Sequence, residues 1–276
     1  MIHIIAGCAE TLIIRGERRT STGINSRIPA INMTWEWMIL DYKFQETHVA
    51  TLVREYPRTA DVFRSAGIDY CCGGRIPLSE AAGNCRFDPE EVYIAVQQKI
   101  EASGHRDGID MRYMSVPGMI DYIQNKYHQD LNEELVNLTP FVARLAARHG
   151  AAQPHLTELR GLFEKFKGEM TGHTADEDDV VFPLIASYAN GDKDVTVQEV
   201  EYAVHKLVND HEGTGALLMR MREITEGYEL PAAACGTYTL VYSRLEDMEK
   251  RTFDHVHMEN HILFEKVSDM IKRSEA

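Results

Sequence analysis

From residue 115 onward the chain repeats one constraint four times: a long run of helical periodicity with a histidine near its middle. The runs cover roughly 116–148, 154–188, 196–226 and 232–272, and the histidines are His128, His173, His211 and His255. Ser115 and Pro117 open the first run and His149-Gly150 closes it, while Asn190-Gly191 and Gly227 close the next two. Connections this short make neighbouring helices antiparallel, so residues 112–274 are predicted to form a four-helix bundle. No strand-like alternation or internal repeat interrupts this part, and the predicted class is all-α.

The histidines share their faces with apolar residues. His128 lies on a stripe with Leu131, Leu135 and Leu138, and His173 with Leu162, Phe166, Met170, Val180 and Leu184. His211 lies with Val200, Val204, Leu207, Val208, Gly215 and Leu218, and His255 with Val241, Leu245, Met248 and Ile262. All four therefore point into the predicted core. A lone histidine on such a stripe is usually a hydrogen-bonded core residue. A glutamate is not, because its charge is rarely buried unless paired or bound to a cation. Two of the histidines have a glutamate four residues on, His173 with Glu177 and His255 with Glu259, and residues four apart share a helix face. Four imidazoles and two carboxylates in one core predict a site for two metal ions. Imidazole suits iron, and a carboxylate can span two metals through its two oxygens.

Other histidines are expected to lie away from this site. His257 and His261 fall on the opposite face from His255, beside Lys250, Asp254 and Asn260, where a solvated surface is expected. His205 shares its face with Glu201 and Asn209 and reads as a non-ligand. His149 and His155 flank a loop, and His3, His48 and His105 lie outside the bundle.

Residues 45–100 read as a small helical domain. Leu52, Val53, Tyr56, Ala60 and Phe63 recur at helical spacing, and Pro77-Leu-Ser79-Glu80 and Asp88-Pro89-Glu90-Glu91 look like helix starts. Between them lies the turn Cys71-Cys72-Gly73-Gly74. Adjacent cysteines are poor partners in a structural zinc site, which favours longer spacers. A disulfide between them would be strained and easily reduced, which suits redox or ligand-exchange work, and the glycines are expected to leave both thiols accessible. Cys85 and Cys235 read as structural or incidental. Residues 1–44 lack a period and read as a poorly ordered extension, and 101–111 read as a linker.

Composition removes several alternatives. A net charge of -14 counts against nucleic-acid binding, which needs clustered positive charge, although Arg15-Gly-Glu-Arg18-Arg19 forms a short basic patch near the start. No run of 18 apolar residues exists, so no membrane span is expected. Ile5-Ala6-Gly7-Cys8 resembles a cleavage box but lacks a basic start and an apolar stretch. Five cysteines in a long chain do not suggest a disulfide framework, and a reducing cytoplasm is the expected location.

The common di-iron carboxylate bundles carry E-x-x-H motifs, and this sequence has none. The pattern instead resembles hemerythrin-like proteins, except that Gly215 stands four residues after His211 where hemerythrin has a histidine. Three longer segments narrow the likeness: Gly67-Ile-Asp-Tyr-Cys-Cys-Gly-Gly74, His173-Thr-Ala-Asp-Glu-Asp-Asp-Val-Val-Phe-Pro183 and His255-Val-His-Met-Glu-Asn-His-Ile-Leu-Phe264. Together they closely resemble the Repair of Iron Centers proteins, the ScdA/YtfE family, over about residues 46–270. The departures are His261, where the family usually has asparagine, and the unmatched first 44 residues.

The resemblance implies a hemerythrin-like four-helix bundle preceded by a small helical ScdA-type domain. It implies a non-haem di-iron protein that helps restore iron–sulfur clusters after nitrosative or oxidative damage. His128, His173, His211 and His255 become terminal ligands, Glu177 and Glu259 bridging ligands, with an oxo or hydroxo group between two Fe ions. An open position beside Gly215 is expected to admit nitric oxide or dioxygen. Cys71 and Cys72 become candidates for redox or iron-transfer work, and damaged iron–sulfur proteins become the expected partners. The same site would also serve an enzyme that reduces nitric oxide or a peroxide, or a gas sensor, and the chain is compatible with a homodimer.

Overall fold

The computed structural model describes residues 44–102 and 111–274. The expectations for residues 1–43, and for the linker over 103–110, lie outside the described residues. The regular structure among those described is helical, joined by turns, with a single isolated bridge between His48 and Pro77.

The small domain contains α1 (Val49–Glu55), α2 (Ala60–Ala66), α3 (Leu78–Gly83) and α4 (Pro89–Ala102). The periodic run from Leu52 to Phe63 is two helices rather than one. Pro57 has no amide hydrogen to continue α1 and disfavours helical angles at the residue before it, so Tyr56 leaves the helix and stands 37% exposed. Leu52, Val53, Ala60 and Phe63 remain buried. Asp88 caps α4, accepting a hydrogen bond from the Glu90 amide at 3.0 Å.

The bundle comprises α5 (116–149), α6 (155–189), α7 (197–224) and α8 (236–274). Ser115 caps α5 by accepting from the Gly118 amide, and a capping box of Thr196 and Glu199 opens α7. Neighbours are antiparallel. Asn132 and Thr139 of α5 meet Thr174 and Lys167 of α6, and His128 and Glu134 of α5 meet His255 and Arg244 of α8. Likewise Glu158 and Asp176 of α6 meet Arg220 and Lys206 of α7.

The turn between α7 and α8 departs from the sequence expectation. Helix α7 stops at Ile224, and Glu226, Gly227 and Tyr228 all take positive φ of 52°, 75° and 63°. Two of these are not glycine, a backbone cost offset by what the turn delivers. The Tyr228 hydroxyl donates to buried Glu249 at 2.9 Å, and Arg222 donates to the same carboxylate at 2.7 Å. Helix α8 consequently starts at Gly236 rather than near 232.

Three of the four bundle helices contain a π turn: Gln124–His128 in α5, Glu177–Val181 in α6 and Glu259–Leu263 in α8. A π turn slips the helix by one residue, so the inward face changes register beyond it. The stripe that includes His173 would reach Val180 in a straight helix. Val180 is instead 58% exposed, and Val181, Phe182 and Ile185 fill the core.

The bundle has two apolar cores. One contains Leu131, Leu135 and Leu138 of α5, Phe166 and Met170 of α6, Leu218 of α7, and Leu245 and Met248 of α8. The other contains Met119 and Ile123, Val181 and Phe182, Leu207, and Leu263 and Phe264. On every helix the division falls at the level of the histidine. The first core continues into the small domain through Val49, Phe63, Tyr70 and Leu78. The Tyr70 ring meets Phe253 edge-on with centroids 5.8 Å apart.

Candidate metal centre

His128, His173, His211, His255, Glu177 and Glu259 meet in the polar layer between the two cores, and all six are buried. The imidazoles form two pairs across neighbouring helices. His128 Nε2 lies 2.9 Å from His255 Nε2, and His173 Nε2 lies 2.9 Å from His211 Nε2. The carboxylates span the pairs. Glu177 places Oε1 3.2 Å from His173 and Oε2 3.3 Å from His128. Glu259 places Oε1 2.8 Å from His255 and Oε2 3.1 Å from His211. Each carboxylate thus turns one oxygen toward each histidine pair. Two clusters result, His128/His255 and His173/His211, each completed by both glutamates.

Surrounding groups orient the rings. His128 Nδ1 is 2.7 Å from Asp178 Oδ1, and His211 Nδ1 is 2.9 Å from Asn260 Oδ1. In the neutral imidazoles, as a metal would require them, such contacts place the proton on Nδ1 and leave the Nε2 lone pair facing inward. Phe182 stacks on His128, Phe264 on His211 and Tyr127 on His255. Sequence reasoning missed Asp178 and Asn260. Each adjoins a predicted ligand glutamate, which was the available signal.

The electrostatics of the site reflect four imidazoles facing two buried carboxylates. Burial disfavours protonated His128, but Asp178, Glu259 and Glu177 outweigh it and lift the pKa from 6.5 to about 10. His211 rises as well, against its burial, through Glu177 and Glu259. Burial pushes the carboxyl groups up, yet the imidazoles prevail and lower both Glu177 and Glu259. Even so, both Glu177 oxygens and Glu259 Oε2 lack a hydrogen-bond donor among the described residues. Anionic oxygens buried without donors are costly unless a cation occupies the layer. Two imidazole nitrogens on one ion at about 2.1 Å and at right angles lie about 3 Å apart, close to the spacing within both pairs. The donor set therefore fits two metal ions with nitrogen and oxygen preferences.

Three expectations about the surroundings of the layer are corrected. His257 and His261 are not on a solvated face. Both are buried, because the small domain covers that side of α8. His257 Nδ1 lies 3.3 Å from the Tyr70 carbonyl, and His261 Nε2 lies 2.7 Å from the Cys71 carbonyl. Neighbouring Asp254 accepts from the Tyr70 hydroxyl at 2.9 Å, and Lys250 donates to Asp61 at 3.0 Å. Burial holds the His257 pKa down at about 3, assisted by nearby His261.

The cysteine turn is also less open than expected. Cys71 is buried and only Cys72 is partly exposed. The space beside Gly215 is taken up by Cys72, whose Sγ would lie 3.5 Å from a Cβ at that position. The turn demands glycine at 74, where a Cβ would fall 2.4 Å from the Tyr70 carbonyl oxygen. Elsewhere, His205 is exposed, and His155 contacts the hydroxyls of Tyr238 and Tyr242. His149 faces Cys235 at 3.4 Å, and the Cys85 thiol donates to the Ala82 carbonyl.

His261→Ala is expected to lower stability by about 1–2 kcal/mol, since the buried Cys71 carbonyl loses its shorter hydrogen bond while Asn260 still donates to it. Bound metal should be unchanged. Denaturant titration and metal analysis of the same preparation check both parts, and loss of metal would return His261 to the ligand set.

An antiparallel four-helix bundle with a central layer of histidine and glutamate defines a hemerythrin-like protein. Consistent with this, residues 119–267 match the family described as the Hemerythrin HHE cation binding domain, and residues 45–100 match ScdA_N, a domain of unknown function. The chain is 40% identical over 227 residues to the iron-sulfur cluster repair protein ScdA of Staphylococcus epidermidis, covering 81% of this chain and 99% of that protein. It is 25% identical over 226 residues to a probable iron-sulfur cluster repair protein of Haemophilus influenzae, covering 81% and 97%. A similar 25% over 223 residues relates it to the iron-sulfur cluster repair protein YtfE of Pectobacterium carotovorum, covering 80% and 96%. The chain belongs to the ScdA/YtfE family of iron-sulfur cluster repair proteins. No helix among the described residues is long and apolar enough to cross a membrane.

Proposed function

We propose that this protein carries two iron ions and supplies iron to iron–sulfur clusters damaged by nitrosative or oxidative stress. His128 and His255 hold one ion and His173 and His211 the other, with Glu177 and Glu259 shared between them. The observation that carries this reading is the way each buried glutamate directs one oxygen to each histidine pair. Iron bound there supplies a redox-active, Lewis-acidic centre. The layer has no thiolate, so it should hold ferrous iron less firmly than a sulfur-ligated cluster does, and transfer toward a cluster protein runs downhill. The relatives are named for iron-sulfur cluster repair, a task that a supply of iron would serve. Cys71 and Cys72 are unbonded, which suits work in a reducing cytoplasm.

The test uses a dehydratase whose cluster has been destroyed by nitric oxide. Iron-loaded full-length protein should restore its activity without added iron, in the presence of a chelator that removes free iron, and metal-free protein should not. Steady consumption of nitric oxide at constant iron content, with no reactivation, would replace the supply reading with that of a nitric oxide-reducing enzyme.

A further inference from the structure

The Cys71-Cys72 turn brings together more than two thiols. Asp69, Cys71 and Cys72 each offer a donor atom, all within 4.8 Å of one another. The sulfurs lie 3.4 Å apart without a bond, and Cys71 Sγ lies 3.2 Å from Asp69 Oδ1. Two thiolates on one tetrahedral ion, each at about 2.3 Å, sit about 3.7 Å apart. We propose that Asp69, Cys71 and Cys72 form a separate metal site that holds one thiophilic divalent cation, such as ferrous iron, in exchangeable form.

Closed structural zinc sites disfavour adjacent cysteines, but this arrangement is not closed. It has two sulfurs and one carboxylate, leaving at least one position for an incoming or departing donor. Its parts are held in place beforehand. The Cys71 and Cys72 amides both donate to Asp69 Oδ1 at 2.9 Å, which fixes the carboxylate beneath the sulfurs. Behind the turn, His261 and Asn260 both hold the Cys71 carbonyl, and His257 faces that of Tyr70. Partly exposed Cys72 provides the way in, and its thiol donates to the His211 carbonyl at 3.3 Å. A cation in this site would thus sit beside the backbone of a residue of the histidine layer.

Binding exchanges protons for metal. The Cys71 thiol donates to Asp69 Oδ1, and burial pushes its pKa well above the usual thiol range. A divalent cation forms two metal–sulfur bonds and one metal–oxygen bond, and both thiol protons leave to solvent. No electrons move. The entering double positive charge meets two thiolates and one carboxylate, which compensate it in a partly dry setting.

Cobalt(II) is the probe, added under reducing conditions to full-length protein loaded with iron and then freed of exchangeable iron by a chelator, so that only the histidine layer keeps its metal. The expected result is about one equivalent of cobalt bound beyond the iron, with a sulfur-to-cobalt charge-transfer band in the near ultraviolet. Cys72→Ser, at the partly exposed position, should abolish the band and leave iron content and helicity unchanged. Asp69→Asn keeps an oxygen for the two amides but removes the charge, and should weaken cobalt binding about tenfold or more. Absence of the band in the unsubstituted protein overturns the proposal, as does an undiminished band in Cys72→Ser or undiminished affinity in Asp69→Asn. The readout is metal binding rather than cluster repair, so failure here leaves the iron-supply reading standing, and the reverse also holds.

Discussion

Glu259→Ala is expected to strip both metals from the histidine layer, whereas His128→Ala should weaken mainly one. The difference follows from geometry. His128 belongs to the cluster with His255 and not to that of His173 and His211, but Glu259 reaches His255 through Oε1 and His211 through Oε2. Deleting the carboxylate removes a donor from both clusters and a negative charge that offsets two cations. Metal affinity should fall at both positions by about 100-fold or more, since even outer groups around a metal are worth about 10–100-fold. Glu177→Ala should behave in the same way. Fold is not expected to limit the experiment, because the apolar cores on either side of the layer remain. Iron per chain, measured beside the circular dichroism of each variant, checks the prediction. Glu259→Ala retaining the iron content of the unsubstituted protein would show that the glutamates do not join the two clusters.

Removing the metal should destabilise the bundle and change how its stability responds to pH. At a metal concentration 1,000-fold above the dissociation constant, binding contributes about 4 kcal/mol, which for a bundle of this size is about 10 °C in melting temperature. The pH response distinguishes the two forms. In the metal-free chain the His128 pKa is raised from 6.5 to about 10. Its contribution is therefore complete below 6.5 and is lost as pH rises toward 10. Glu177 and Glu259 are depressed below 4.5, so their contribution is present above that value and disappears as acid protonates them. Metal-free protein should be most stable between about pH 4.5 and 6.5 and decline on the alkaline side. Metal-loaded protein needs neutral imidazoles, so it should show no such alkaline decline and should instead weaken in acid. Melting curves of both forms across this range provide the check, and parallel profiles would mean that the metal does not bind at these residues.

The central layer was legible in the sequence because local rules govern it. A four-residue spacing puts His173 with Glu177 and His255 with Glu259 on shared faces, and buried glutamate has few explanations. The π turns were not legible. They slip the register at Glu177 and Glu259 without a local residue signal, so Val180 was expected inside where Val181 lies. His257 and His261 were misjudged for a different reason. Their surroundings depend on Tyr70 and Cys71, which are 187 and 190 residues away, and helix periodicity carries no information about a covering domain. The same contact explains why the cysteine turn is less exposed than its glycines suggest. Asp69 could have been anticipated, since an aspartate two residues before an amide commonly folds back to accept from it.

The proposed iron supply depends on a coupled pair of iron ions in one buried layer. The most direct test is Mössbauer spectroscopy of oxidised, iron-57-loaded full-length protein, with total iron determined on the same sample. The expected result is about two irons per chain in a spin-coupled, diamagnetic pair, because Glu177 and Glu259 each reach both histidine pairs. A single iron, or two with the signature of isolated paramagnetic ferric ions, would contradict it.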